Sequence, residues 1–163
     1  MKINKIKTIL IYLIFFKLNF ITLHAENIQD YQIENISLNE SLTEYFSVEK
    51  IKNNSNYEYY KSDKFYRVEL IGEKSLQKFD HISFHLKKND KKYIIYEISG
   101  IIDYANNVNQ CYPKQKKIIS ELSSTFPNVK KFDSGRQKAS IDKNSTYDRY
   151  DFIFKDGSRI DVM

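Results

Sequence analysis

The chain has no tryptophan, one cysteine, two prolines and four glycines in 163 residues. Each scarcity excludes something. The lone Cys111 has no partner for an intrachain disulfide. A lipoprotein signal needs a cysteine at its cleavage point, so lipid attachment there is excluded as well. Four scattered glycines form no phosphate-cradling loop and no Gly-x-Ser-x-Gly nucleophile elbow. Arginine is scarce beside lysine, four against 22. Lys, Asn, Ile, Tyr and Phe have AT-rich codons, so the lysine and tyrosine density reflects an AT-rich genome rather than a function. A bacterial source with an envelope space fits this best.

Long hydrophobic runs are also missing, except at the start. Lys2, Lys5 and Lys7 precede the apolar stretch Thr8–Phe16, and a small residue, Ala25, follows Leu23-His24. A basic n-region, a short apolar core and a small residue at the cleavage point form the pattern of a secretory signal peptide over residues 1–25. A membrane-spanning helix needs about 20 mostly apolar residues, and Lys17 and Asn19 interrupt this run too early. An uncleaved anchor is the alternative, because Leu18, Phe20, Ile21 and Leu23 extend the apolar character. The expectation is export to the periplasm or the medium, with no stable membrane insertion after cleavage.

Removing 25 of the 163 residues leaves 138, a length for one α+β domain over residues 26–163 with a hydrophobic core of its own. The segment removed carries four lysines and no acid, so the remainder holds 22 basic against 21 acidic residues. The basic balance of the whole chain therefore gives no ground for a nucleic-acid partner.

Along the remainder, Ser37 and Glu40 have capping-box spacing, and Leu42, Tyr45 and Phe46 follow at helical intervals. This predicts a short helix from about Leu38 to Phe46, with Ser47 able to cap a further turn through Val48 and Ile51. Tyr66, Val68 and Leu70 alternate with Arg67 and Glu69, the period of a half-buried strand. Ile82, Phe84 and Leu86 alternate with His81, Ser83, His85 and Lys87; a polar turn follows, and Tyr93–Ile98 resumes the pattern, which predicts a β-hairpin. Gly100 is read as a bulge or bend. Cys111, Gln115, Ile118, Ile119, Leu122 and Phe126 recur at helical spacing, predicting a long helix over about 109–125 that Pro127 ends. Lys130–Gln137 reads as loop. Asp156-Gly157 between alternating segments is a strong hairpin signal, with Phe152 and Phe154 on one face. No sequence repeat is visible. The fold expected is α+β: an antiparallel sheet of about five to six strands packed by one long helix, with a short N-terminal helix. The apolar stripe of the long helix is expected on the Ile82/Phe84/Leu86 face, with Cys111 buried beneath it.

Chemistry-bearing patterns are few. His81 and His85 share one face of a strand but stand four residues apart, about 13 Å, too far for one metal ion. Asp142, Asn144, Thr146 and Asp148 alternate like the start of a calcium loop, but Tyr147 stands where glycine is needed and Ile153 where the closing glutamate belongs. Asp148 and Asp151 are a carboxylate pair of the kind that serves acid–base chemistry. Tyr57, Tyr59, Tyr60, Tyr66, Tyr93, Tyr96 and Tyr104 supply apolar rings with polar tips, suited to cross-strand packing or to a wet binding surface. No catalytic residue, cofactor or metal is expected. The candidate contact face is His81, Ser83 and His85.

The segments Ile36–Leu42 and Tyr93–Gly100, followed by Asn109–Tyr112 and Ile118–Leu122, are similar to small exported proteins of unknown function from AT-rich bacteria. The likeness spans roughly residues 33–126. It implies an uncharacterised envelope protein and carries no activity or site. The function expected is a non-enzymatic binding or interaction module of the cell envelope, its partner an envelope protein or polymer. The alternative is a small hydrolase with a carboxylate-based site.

Overall fold

The computed structural model describes residues 27–59, 64–73, 76–104, 107–139 and 144–163. The expected signal segment, Tyr60, and Asp142 at the head of the calcium-like series lie outside the described residues. The architecture is α+β, with two antiparallel sheets. β1 (Ser55–Asn56), β2 (Phe65–Ile71), β3 (His81–Lys87) and β4 (Ile95–Ile101) form the first, in that order. β5 (Lys130–Lys138), β6 (Thr146–Ile153) and β7 (Arg159–Val162) form the second. α1 (Val48–Asn53) precedes the main strands of the first sheet, and α2 (Val108–Thr125) precedes the second.

The first core has the register that alternation predicts. Ile82, Phe84 and Leu86 are fully buried, with Tyr66, Val68 and Leu70 beside them on β2 and Ile95 on β4. Their cover differs from the expectation. Leu42, Phe46 and Ile51, on the segment before β1, close this face, and the Phe46 ring lies 6.2 Å from that of Phe84. The long helix goes elsewhere. Leu122 and Phe126 pack with Phe152, Phe154 and Val162 of the second sheet, flanked by Ile118 and Ile119. The expected single sheet of five to six strands under one helix is thus two sheets, the first covered by the helical segment just before it and the second by α2 together with Ile28 and Tyr31 of the N-terminal segment. Sequence order explains the division: a three-strand meander needs only short connections, and the nearest apolar helical face reaches it first.

Other expectations need local correction. The backbone N–H of Ser37 does donate to the Glu40 carboxylate, at 2.9 Å, but no helix follows. Asn39 takes a left-handed φ of 66°, and Asn39 and Glu40 instead exchange backbone hydrogen bonds with Ile95, extending the edge of the first sheet. The expected helix over Leu38–Phe46 reduces to a single 3₁₀ turn, Leu42–Glu44, and α1 starts after Ser47, whose hydroxyl caps it at the Lys50 N–H. The bulge expected at Gly100 lies at His85/Leu86, where β4 carries the extra Tyr96. Gly100 stands opposite Ile82, and a Cβ there would meet the Phe79 ring at 2.6 Å. Its role is close approach of that ring.

The stretch expected as loop, Lys130–Gln137, is most of β5. A bulge between Asp133 and Gly135, with Gly135 at φ 59°, breaks the alternation that would have marked the strand. α2 begins at Val108, so Pro113 falls in its second turn, and the helix contacts the core only from Ile118 onward. Cys111 lies before that point and is half-buried instead of buried. Phe126 caps the last turn and is itself wholly buried, its ring edge-on to Phe154 at 5.0 Å. Among the described residues, no helix is long and apolar enough to cross a membrane.

Candidate functional site: the two uncovered sheet faces

Strand pleating sends the side chains between Ile82, Phe84 and Leu86 to the opposite face of the first sheet. The register arranges them in three cross-strand rows: Arg67–His85–Glu97, Glu69–Ser83–Ser99 and Ile71–His81–Ile101. The candidate residues His81, Ser83 and His85 are the central column, and they are not equally open. Ser83 is 3% exposed and forms a floor, while both histidine side chains are partly exposed.

Each histidine is held by a carboxylate. His85 Nδ1 lies 2.7 Å from Glu97 Oε2. His81 Nε2 lies 3.0 Å from Asp103 Oδ2, with Glu69 Oε1 4.0 Å from its other nitrogen. Arg67 donates through Nη2 to Glu69 at 2.7 Å, and its guanidinium lies under the Tyr59 ring, 4.6 Å from the centroid. The hydrogen bond from His85, with smaller help from Ser99 and Arg159, outweighs burial and holds the Glu97 carboxyl below its ordinary value. At one end of the face the Lys87 ammonium lies 4.5 Å from the Tyr96 ring centre, and Phe65 meets the same ring edge-on. At the other end Ile71 is 65% exposed. The result is a polar, partly sunken strip of cross-linked side chains with apolar groups at its ends.

The tyrosines divide between the two roles expected of them. Tyr57 stacks on Tyr66 at 4.6 Å and Tyr66 is core, whereas Tyr59 and Tyr96 are exposed at the border of the open face.

The outer face of the second sheet is polar too. Asp148 and Asp151 do not meet there. They lie on opposite faces of β6, and Asp148 points to the helix side, where Arg136 pairs with it at 2.9 Å and also reaches the Tyr112 hydroxyl. The Arg136 hydrogen bond holds the Asp148 carboxyl below its ordinary value. The carboxylate that Asp151 does meet is Asp161, directly across on β7. Arg149 bridges them, with Nε 2.6 Å from Asp151 and Nη2 3.3 Å from Asp161; Arg159 adds a 3.2 Å contact to Asp161, and Ser134 donates to Asp151 at 3.1 Å.

Burial, then the hydrogen bond with Asp151, pushes the Asp161 carboxyl up. Burial pushes Asp151 up as well, but the hydrogen bonds from Arg149, Asp161 and Ser134 outweigh it and leave that carboxyl low. The two carboxyls are thus shifted in opposite directions, Asp151 down and Asp161 up. This pair was readable in the chain: Asp151 and Asp161 are equally far from Asp156 in the Asp156-Gly157 turn, so a hairpin folded there sets one against the other.

Among the described residues, no group of three or more His, Cys, Asp or Glu side chains is placed to hold a metal ion. No protein-family model, curated protein or solved structure matches the chain.

Proposed function

We propose that this protein is an exported, non-enzymatic binding module of the cell envelope, whose contact surface is the face of the first sheet carrying His81, Ser83 and His85, and whose partner is an envelope protein. The observation that carries this reading is the state of that face. Its titratable side chains are anchored to one another, across strands at 2.7 Å for His85–Glu97 and to the segment after β4 at 3.0 Å for His81–Asp103, while apolar groups stand exposed at its ends. Pre-positioned polar groups beside exposed aromatic and aliphatic side chains suit recognition, because little side-chain freedom is lost on contact. The basic leader supports export.

Site-specific photocrosslinking tests the reading. A photoreactive residue at Ile71, at the end of the open face, is expected to give one discrete adduct in native envelope, and one at Lys117 on the outer side of α2 none. Equal labelling from both positions would contradict it. A carboxylate-based hydrolase is the competing reading, and it would draw on Asp151 and Asp161; in that case Asp161→Asn would abolish turnover while crosslinking from Ile71 stayed as it was.

A further inference from the structure

The outer face of the second sheet carries a shallow, open trough of about 510 Å³. It runs along β5 and β6. Phe132 stands opposite Asp151 at one end, and Gln137 stands opposite Tyr147 at the other, four residues and about 13 Å along the strand. An aromatic ring therefore marks each end. Phe132 is 55% exposed. The bulge at Asp133–Gly135 forms the wall between the ends, and it fixes the polar groups of the trough. Ser134 donates to Asp151, the Gly135 N–H donates to Asp133 at 2.9 Å, and the Gln137 amide donates to the Ser134 carbonyl at 2.6 Å.

We propose that this trough binds a short, uncharged saccharide. The charged groups of the lining are already engaged: Arg149 and Asp151 satisfy each other at 2.6 Å, and Asp133 accepts from the Gly135 N–H, so an anion would meet two carboxylates and a cation would compete with Arg149. A neutral hydroxyl both donates and accepts, so it adds to such a pair without breaking it. The planar Arg, Asp and Gln groups are held by neighbours before any ligand arrives, which lowers the entropy lost on binding. The rings of Phe132 and Tyr147 offer flat apolar surface to the C–H faces of sugar rings. An elongated trough with a ring at each end suits a disaccharide or longer glycan lying along the strands. This site is on a different sheet from the face proposed for protein contact and does not depend on it.

The test is a titration of the ¹⁵N-labelled full-length protein with di-N-acetylchitobiose, cellobiose and maltose, with trilysine and citrate as charged comparators. At least one disaccharide is expected to shift the amides of Phe132, Gln137, Tyr147 and Arg149. Phe132→Ala and Gln137→Ala, both changes of exposed side chains, are each expected to weaken that binding about tenfold while leaving the remaining spectrum intact. The proposal is overturned if none of the three disaccharides shifts these amides. It is equally overturned if the shifts survive both substitutions, or if trilysine or citrate binds the trough more tightly than every sugar.

Discussion

The two sheets solve the same problem with different materials. In the first, three consecutive alternating strands bury Val68, Ile82, Phe84, Leu86 and Ile95 completely, and a 3₁₀ turn and the six-residue α1 suffice to cover them. In the second, β5 contributes little to the core, and the long helix supplies Leu122 and leads into Phe126 against Phe152, Phe154 and Val162. A sheet that brings its own dense apolar face can be closed by a turn and a short helix. A sheet with one strong strand needs a long helix. The outer faces differ to match: the first carries histidines each set against a carboxylate, the second a trough shaped by a bulge.

The largest expected effect breaks the first core. Phe84→Ala should destabilise by about 3–5 kcal/mol, the usual range for truncating a buried aromatic. Chemical denaturation followed by circular dichroism measures it, and a silent substitution would mean that the strand register is wrong. Leu122→Ala tests the second core by the same method and should cost about 2–5 kcal/mol. Under the one-sheet arrangement that the sequence suggests, its loss would fall on Ile82 and Phe84. Here it should fall on β6 and β7, read as faster amide exchange there.

Gly100→Ala is a sharper probe of the first sheet, because the added methyl overlaps the Phe79 ring. Overpacking of this kind typically costs about 1–3 kcal/mol. Phe79→Ala combined with Gly100→Ala should recover part of the loss, and additive losses would show that the ring is not the obstacle.

Acid should separate the two outer faces. Glu97 is held below its ordinary value, so its contribution is present above its unfolded pKa and is lost as pH falls through the lower folded one. Asp161 is pushed up, so its contribution is complete below its unfolded pKa and is lost as pH rises through the higher folded one. Glu97→Gln should therefore flatten the acid limb of the stability profile, and Asp161→Asn should reduce the decline on its upper side. Matching changes from both variants would contradict the assignment. The smallest effect is expected from Cys111→Ser, since the thiol is half-buried and lies before the part of α2 that touches the core. About 1 kcal/mol or less is expected in the same denaturation experiment.

What the sequence reveals follows the same contrast. β3 and β4 are legible because strict alternation of Ile82, Phe84 and Leu86 with polar residues survives into the structure, and the Asp156-Gly157 turn is legible from its dipeptide. β5 is not, because its bulge at Ser134 and Gly135 shifts the period and its one large apolar residue faces outward. The helix expected after Ser37 fails because the backbone there pairs with Ile95, a contact far away in sequence. Which sheet the long helix covers is a tertiary choice that its own periodicity cannot encode. At the candidate site, alternation places His81, Ser83 and His85 on one face, but the burial of Ser83 depends on its neighbours across the sheet, Glu69 and Ser99. The Asp151–Asp161 pair shows the opposite case, where counting outward from a recognised turn finds partners that motif spacing misses.

The placement of α2 is the claim on which the rest depends. Methyl-to-aromatic nuclear Overhauser contacts of Leu122 test it most directly. The account predicts contacts from the Leu122 methyl groups into the Phe152, Phe154 and Val162 cluster and none to the Phe84 ring. Contacts to Phe84 or Leu86, with none to the Phe152 cluster, would restore the single helix-covered sheet and contradict the two-core arrangement.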